Sequence, residues 1–141
     1  MEEFVEFLTA NFVLSGLWIV LFVALIYSFI AGALSKVKEI NNHQTTELMN
    51  KQDGVVLDIR GQADFRKGHI LGAKNVASDK ILKGDLAEVE KYKSKPIIVV
   101  CNMGISAKPV ANRLHKAGFE QVSVLKGGMG SWTSASLPVS K

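Results

Sequence analysis

Residues 96–106 read PIIVVCNMGIS, and the fold class follows from this stretch. Four apolar β-branched residues, Ile97–Val100, predict a strand that is buried on both faces, as in a parallel sheet. Cys101 follows this strand directly. A loop containing Gly104 then leads to Ser106, a residue type suited to begin the next helix as its N-cap. A strand, a short loop and a helix in this order form part of a βαβ unit.

Strands and helices also alternate on both sides of this stretch. The runs VVLDI at 55–59 and VSVL at 122–125 have the β-branched composition of buried strands. Residues 41–50 open with a capping-box pattern and predict a helix, and residues 85–92 predict another in the same way. Because the elements alternate, we expect an α/β layer structure with a mainly parallel central sheet.

The N-terminal part of the chain has a different composition. Residues 12–34 read FVLSGLWIVLFVALIYSFIAGAL, without charge, and exceed the roughly 20 residues that a helix needs to span a bilayer. We therefore predict one transmembrane helix at about 12–34 within an N-terminal segment, 1–35. A linker at 36–39 and a folded domain at 40–141 are predicted to follow. A cleaved signal peptide is the alternative, but such a peptide begins with basic residues, and this chain begins with acidic ones.

The charges of the chain are distributed unevenly. Residues 1–35 contain no Lys or Arg, so all 17 basic residues lie in 36–141, together with 10 of the 13 acidic residues, a net charge of +7. Lys36 and Lys38 follow the apolar run, and the positive-inside rule then predicts a cytoplasmic C-terminal domain. The basic residues are dispersed rather than arranged in a stripe with aromatic residues, so no nucleic-acid partner is predicted. An anionic membrane surface explains the positive charge.

Cys101 is the single cysteine of the chain, so it forms no intramolecular disulfide and is expected in a reducing compartment. It follows a buried strand, at the sheet edge where ligands bind in open α/β sheets. Backbone amides in the following loop, together with the helix N-terminus, are expected to form an anion nest that lowers the pKa of the thiol. A buried structural cysteine and a phosphate-binding loop are alternatives that this pattern leaves open.

Four motifs in this order resemble the rhodanese family: VVLDIR, DFRKGHILGAKN, IIVVCNMGIS and VLKGGMGSW. The resemblance covers about 40–139, and with the apolar N-terminal run the chain resembles the membrane-anchored single-domain bacterial type. It implies a rhodanese-like three-layer fold and transfer of sulfane sulfur. The donor would be a small molecule such as thiosulfate or a persulfide, and the acceptor a thiol or cyanide. It implies no cofactor, and the scattered His and Cys residues give no metal-ligand spacing.

The resemblance also assigns roles to the loop. Cys101 would attack the donor and carry the sulfur as a persulfide, in two covalent half-reactions. Backbone amides would hold that persulfide in a binding loop formed by Asn102, Met103, Gly104, Ile105 and Ser106. Many family members carry Arg at the position of Ser106, so binding of the thiosulfate dianion is expected to be weaker here. A phosphatase is disfavoured because related phosphatases need a longer loop and that Arg.

Roles are predicted for six further residues. Arg60 and Lys108 are candidates for contact with an anionic donor. The remaining four are expected to support the structure: Asp58 and Asp64, the latter in an ion pair with Arg60, a hydrogen-bonded His69, and Trp132 in the core. A second hypothesis treats the domain as a binding module without catalysis, which the N-terminal helix recruits to a membrane-protein partner. For the enzyme, the predicted location is the bacterial inner membrane, as a single-pass protein.

Overall fold

The computed structural model describes residues 1–33 and 37–141. The chain divides into two compact units, 1–35 and 36–141, which are described separately. Both units carry elements that the sequence pattern predicts. The first is helical, and the second contains the sheet.

The N-terminal unit consists of two helices, α1 (Glu2–Ala10) and α2 (Phe12–Ala33). Helix α1 was not among the predicted elements, although its apolar residues recur at helical spacing. Helix α2 begins at the predicted residue, whereas the predicted end at residue 34 lies outside the described residues. Within the described part of the chain, α2 alone is long and apolar enough to cross a membrane, and none of its 12–31 segment is buried. A core helix of a soluble domain would be buried.

The second unit contains seven strands and five α-helices within the described residues. The strands are β1 (Lys38–Ile40), β2 (Val55–Asp58), β3 (His69–Ile70), β4 (Lys74–Asn75), β5 (Ile97–Val100), β6 (Val122–Leu125) and β7 (Val139–Ser140). The helices are α3 (Asn42–Lys51), α4 (Gln62–Lys67), α5 (Ser78–Leu82), α6 (Ala107–Lys116) and α7 (Gly128–Ser134).

Five strands form one sheet in the order β1-β6-β5-β2-β4, and every neighbouring pair is parallel. Strands β3 and β7 form a separate antiparallel pair. The central position of β5 is explained by its composition, because both faces of a central strand must be apolar. All four of its residues are fully buried. The predicted mainly parallel sheet is confirmed.

Helices cover both faces of the sheet and give three layers. Ile97 and Val99 of β5 point to one face, where they pack with Ala111 and Leu114 of α6. Alternate residues of β5 point to the other face, where they pack with Met129 and Trp132 of α7 and with side chains of α3 and α4. The parallel strands all end at the same edge of the sheet. Because β5 is the central strand, the residue that follows it lies at the middle of this edge.

Two predicted boundaries are corrected by the structure. The predicted linker at 36–39 overlaps β1, because Lys38 and Glu39 belong to this strand and pair with β6, and residue 36 lies outside the described residues. Residues 85–92 form turns that end in a 3₁₀-helix, Glu90–Tyr92, and not an α-helix. The reason lies in the spacing of the apolar residues: Leu86, Val89 and Tyr92 recur every third residue, which matches three residues per turn.

Candidate active site

Cys101 lies directly after β5, at the carboxyl edge of the central strand. The residue is only 3% exposed. Its sulfur nevertheless faces the backbone of its own loop, because the amide of Gly104 donates a hydrogen bond to Sγ at 3.0 Å. Gly104 adopts φ +87, a left-handed conformation that turns this amide back toward the sulfur. The loop therefore has the curled shape that an anion nest requires.

The surroundings of the thiol favour its ionised form. Burial raises the pKa of Cys101, but hydrogen bonds to the sulfur lower it by more, so the pKa lies below its ordinary value. The Ser106 hydroxyl and the amides of Ala107, Gly104 and Met103 lower the pKa, and among these groups the Gly104 amide has hydrogen-bond geometry, at 3.0 Å from Sγ. The N-terminal turn of α6 thus helps to stabilise a thiolate, which is the nucleophilic form of cysteine.

Ser106 has a different local role from the one its sequence position predicts. It is the N-cap residue of α6, but its side chain makes no capping hydrogen bond. Its backbone is already helical, at φ −71 and ψ −14, whereas a capping side chain needs an extended residue. The hydroxyl is therefore available to the sulfur of Cys101.

Replacing Ser106 with Ala is expected to raise the pKa of Cys101, because the hydroxyl stabilises the thiolate. Iodoacetamide reacts with the thiolate, so alkylation should require higher pH in Ser106→Ala and be several-fold slower at neutral pH. Cys101 is the single cysteine, so the pH profile of alkylation reports on it alone. Ser94→Ala, at an exposed position away from the loop, serves as the control. Identical profiles for Ser106→Ala and the wild type would contradict this role.

The segment that begins with the glycine pair Gly127 and Gly128 supports the Cys101 loop through backbone hydrogen bonds. The amide of Met129 donates to the carbonyl of Cys101 at 2.8 Å, and the amide of Gly130 donates to the carbonyl of Asn102 at 2.9 Å. Gly128 precedes them at φ +56, and a Cβ there would lie 2.2 Å from the Cys101 carbonyl oxygen. The sequence analysis assigned no site role to Gly127 and Gly128. Two consecutive glycines after a buried strand are the signal that indicates a close backbone approach.

Most of the remaining loop residues are exposed. Met103 and Ile105 are 69% and 77% exposed, and Asn102 and Ser106 are exposed as well, whereas Gly104 is buried. The loop thus presents two large apolar side chains to its surroundings while its amides face the sulfur. No residue between 101 and 106 carries a positive charge.

Asp58 and Arg60 form a buried ion pair at the end of β2. The Arg60 Nη2 lies 2.8 Å from Asp58 Oδ2, and Nε also donates to this carboxylate. Nη2 donates further to the carbonyl of Gly68 at 2.7 Å, which ties the end of α4 to the sheet. The predicted pair between Arg60 and Asp64 is wrong. Asp58 is two residues away at the buried strand end, whereas Asp64 lies on α4 and faces Lys67 at 3.7 Å.

The other predicted residues occupy separate places. His69 Nδ1 lies 2.8 Å from the carbonyl of Phe65, and its ring stacks on the Phe65 ring. Trp132 is buried, and its Nε1 donates to the carbonyl of Pro138. Lys108, a candidate anion contact, forms an ion pair with Glu39.

A cleft of about 410 Å³ borders the Cys101 loop on the side of α4 and α7. Arg60, Asp64 and Lys67 form its charged part. Asn102 and Met103 contribute one wall, so the cleft begins at the residue after Cys101. This surface is called the α4–α7 cleft below. Among the described residues, no group of three or more His, Cys, Asp or Glu side chains is placed to bind a metal ion.

A model of the family described as the rhodanese-like domain matches residues 41–135, which includes the Cys101 loop and the glycine pair beneath it. The chain belongs to the rhodanese family. The resemblance of the four sequence motifs is thereby confirmed. The candidate active site of this rhodanese-like domain is formed by β5, the Cys101 loop and the start of α6.

Relatives are similar to this chain over different lengths. The protein YibN of Escherichia coli K12, described as uncharacterized, is 43% identical over 139 residues, which are 99% of this chain and 97% of that protein. The thiosulfate sulfurtransferase GlpE of Pseudoalteromonas translucida is 37% identical over 98 residues, 70% of this chain and 90% of that protein. The crystal structure of a rhodanese-related protein from Thermoplasma volcanium matches with a TM-score of 0.63 and 25% identity, over 73% of this chain and 97% of that one.

Proposed function

We propose that this protein is a membrane-anchored sulfurtransferase that carries sulfane sulfur as a persulfide on Cys101. The proposal rests on one observation: the buried sulfur accepts the Gly104 amide at 3.0 Å within a loop that lowers the pKa of the thiol. The relatives named thiosulfate sulfurtransferase give independent support, since they align with about two thirds of this chain.

In the first half-reaction, the Cys101 thiolate attacks the outer sulfur of thiosulfate. A new bond forms between Sγ and that sulfur, the sulfur–sulfur bond of the donor breaks, and sulfite leaves with the electron pair. A persulfide donor reacts in the same way and releases its thiolate. The persulfide on Cys101 is an anion one atom longer than the thiolate, and amides of the loop are positioned to stabilise it.

A persulfide donor suits this loop better than thiosulfate. Thiosulfate is a dianion, and its binding is favoured by cationic side chains, but residues 101–106 carry none. Arg60 and Lys108, the two candidate anion contacts, are both engaged in ion pairs. We therefore propose a persulfide as the preferred donor and a thiol as the acceptor, with weaker activity on thiosulfate.

We further propose that α2 anchors the protein in the bacterial inner membrane with the rhodanese domain in the cytoplasm. Length and apolar composition of α2 are sufficient for one crossing. The basic residues of the chain all follow this helix, which favours a cytoplasmic location of the part that follows. A reducing cytoplasm also keeps a lone thiol available for sulfur transfer.

Mass spectrometry of the full chain after exposure to a donor tests the catalytic proposal. The chain should gain one sulfur atom, about 32 Da, and lose it on addition of a thiol acceptor. Polysulfide and thiosulfate are compared as donors, and faster loading is expected from polysulfide. Peptide mapping should place the added sulfur on Cys101. A chain that stays unmodified with both donors would refute the sulfurtransferase.

A further inference from the structure

We propose that the α4–α7 cleft is the binding site for the acceptor thiol and that it selects thiols carrying a carboxylate. This inference rests on the proposed function, because it names the class of molecule that removes sulfur from Cys101. The volume of the cleft, about 410 Å³, falls in the range of small-molecule sites, roughly 300–1,000 Å³.

The cleft adjoins the loop that carries the reactive sulfur. Asn102 and Met103, the two residues after Cys101, contribute to one wall. Met129 and Gly130, whose amides hold the carbonyls of Cys101 and Asn102, contribute to the cleft as well. A molecule in the cleft therefore rests against the same backbone that positions Sγ.

The charged part of the cleft favours an anion. The Arg60 side chain is only 9% exposed, and its Nε and Nη2 donate to Asp58 and Gly68. No described residue accepts a hydrogen bond from its Nη1. Lys67 has a side chain that is 79% exposed, and its distance to Asp64 is 3.7 Å, longer than a hydrogen bond. Asp58 and Asp64 balance the charges of these two cations, but Arg60 Nη1 and Lys67 Nζ retain N–H donors that can bind a carboxylate.

The remaining wall is apolar and suits the carbon skeleton of a small thiol. Met103 and Val139 are large exposed apolar residues at this cleft. Contact with a ligand would remove their surface from water, which is favourable in proportion to the area buried. The combination of an apolar wall and a cationic end is matched by a molecule with a short carbon chain between a thiol and a carboxylate.

The reaction at this site is balanced without an oxidant or a reductant. The thiolate of the acceptor attacks the outer sulfur of the Cys101 persulfide. A bond forms between these two sulfurs, the bond between Sγ and the outer sulfur breaks, and Sγ leaves with the electron pair as a thiolate. The outer sulfur keeps its negative charge in the new persulfide of the acceptor, so the step needs no proton transfer. The Gly104 amide, which donates to Sγ at 3.0 Å, stabilises this leaving thiolate.

The test compares two acceptors of nearly equal size, 3-mercaptopropionate and 3-mercapto-1-propanol, on the full chain loaded with persulfide. We expect the wild type to transfer sulfur to 3-mercaptopropionate about tenfold faster than to 3-mercapto-1-propanol, because one charge-assisted hydrogen bond stabilises a complex by about that factor. Lys67→Glu should reduce this preference about threefold or more, and Asp64→Asn should increase it. Lys83→Glu, an exposed cation on the end of α5, is the matched control and should leave the preference unchanged.

A second measurement keeps this inference separate from sulfur transfer itself. The unloaded thiol is reacted with 3,3′-dithiodipropionate and with 2-hydroxyethyl disulfide, and the ratio of the two rates is compared among the same variants. If no persulfide forms but Lys67→Glu still lowers the ratio, the cleft selects carboxylates and the sulfurtransferase proposal alone is refuted. If Lys67→Glu and Lys83→Glu give equal ratios in both assays, the proposed acceptor site is overturned.

Discussion

The rate of sulfur transfer from donor to acceptor should fall at least about a thousandfold in Cys101→Ser, because loss of a covalent nucleophile commonly costs more than that. Serine retains the size of the side chain, and its oxygen is able to accept the Gly104 amide that now binds Sγ. A hydroxyl stays protonated at neutral pH and forms no persulfide, so both half-reactions lose their nucleophile or leaving group. Sulfite release from thiosulfate and consumption of an acceptor thiol are measured on the full chain.

The same variant separates catalysis from a purely structural role of the domain. Cys101→Ser should fold like the wild type, which circular dichroism and a thermal unfolding curve check. If both proteins consume the acceptor thiol at the same background rate, with thiosulfate and with polysulfide as donor, the rhodanese domain is not a sulfurtransferase. The binding module then becomes the better hypothesis. That hypothesis expects capture of a membrane-protein partner that depends on residues 1–35 and is unaffected by Cys101→Ser.

Local patterns predict the central part of this fold well. The apolar run before Cys101 predicts β5 at its observed bounds, because a strand buried on both faces leaves no alternation of polar residues. The capping box of Asn41 and Gln44 is present with both reciprocal hydrogen bonds, since it depends only on residues three apart. The position of Cys101 at the edge of the sheet follows from the same local order of elements.

Contacts between distant segments could not be predicted in the same way. Arg60 had two acids within four residues, and the choice of Asp58 over Asp64 depends on which carboxylate lies buried at the strand end. The cleft beside the loop depends on α4, α7 and β7, which meet only in the folded domain. The support beneath Cys101 likewise joins residues more than twenty positions apart.

The glycine at position 128 illustrates how strongly this distant support constrains the site. In Gly128→Ala, the new Cβ would lie 2.2 Å from the Cys101 carbonyl oxygen and 2.8 Å from the Asn102 carbonyl carbon and oxygen. These are backbone atoms, which cannot rotate away as a side chain can. The left-handed backbone at φ +56 adds strain for any residue with a Cβ. We expect the free energy of unfolding to fall by about 3 kcal/mol or more.

Catalysis should suffer even in the fraction of Gly128→Ala that remains folded. Helix α7 must move away from the loop, and the hydrogen bonds from Met129 and Gly130 to the loop carbonyls lengthen. A displacement of about 1 Å at a reacting group can cost roughly a hundredfold in rate, so transfer through Cys101 should slow by about that factor. Unfolding in urea is followed by Trp132 fluorescence in a Trp18→Phe background, where Trp132 is the only tryptophan.

Substitutions at two other glycines distinguish the effect of the steric clash from the effect of backbone strain. Gly72 has φ +83, but no atom lies within 4 Å of the place that a Cβ would take, so Gly72→Ala carries strain alone and should cost about 1–2 kcal/mol. Gly61, at φ −58 with open space around it, should tolerate Ala without loss. Neither variant should slow sulfur transfer, since neither residue contacts the Cys101 loop. If Gly128→Ala is no less stable than Gly72→Ala and is equally active, then α7 does not hold the loop in the way that the hydrogen bonds indicate.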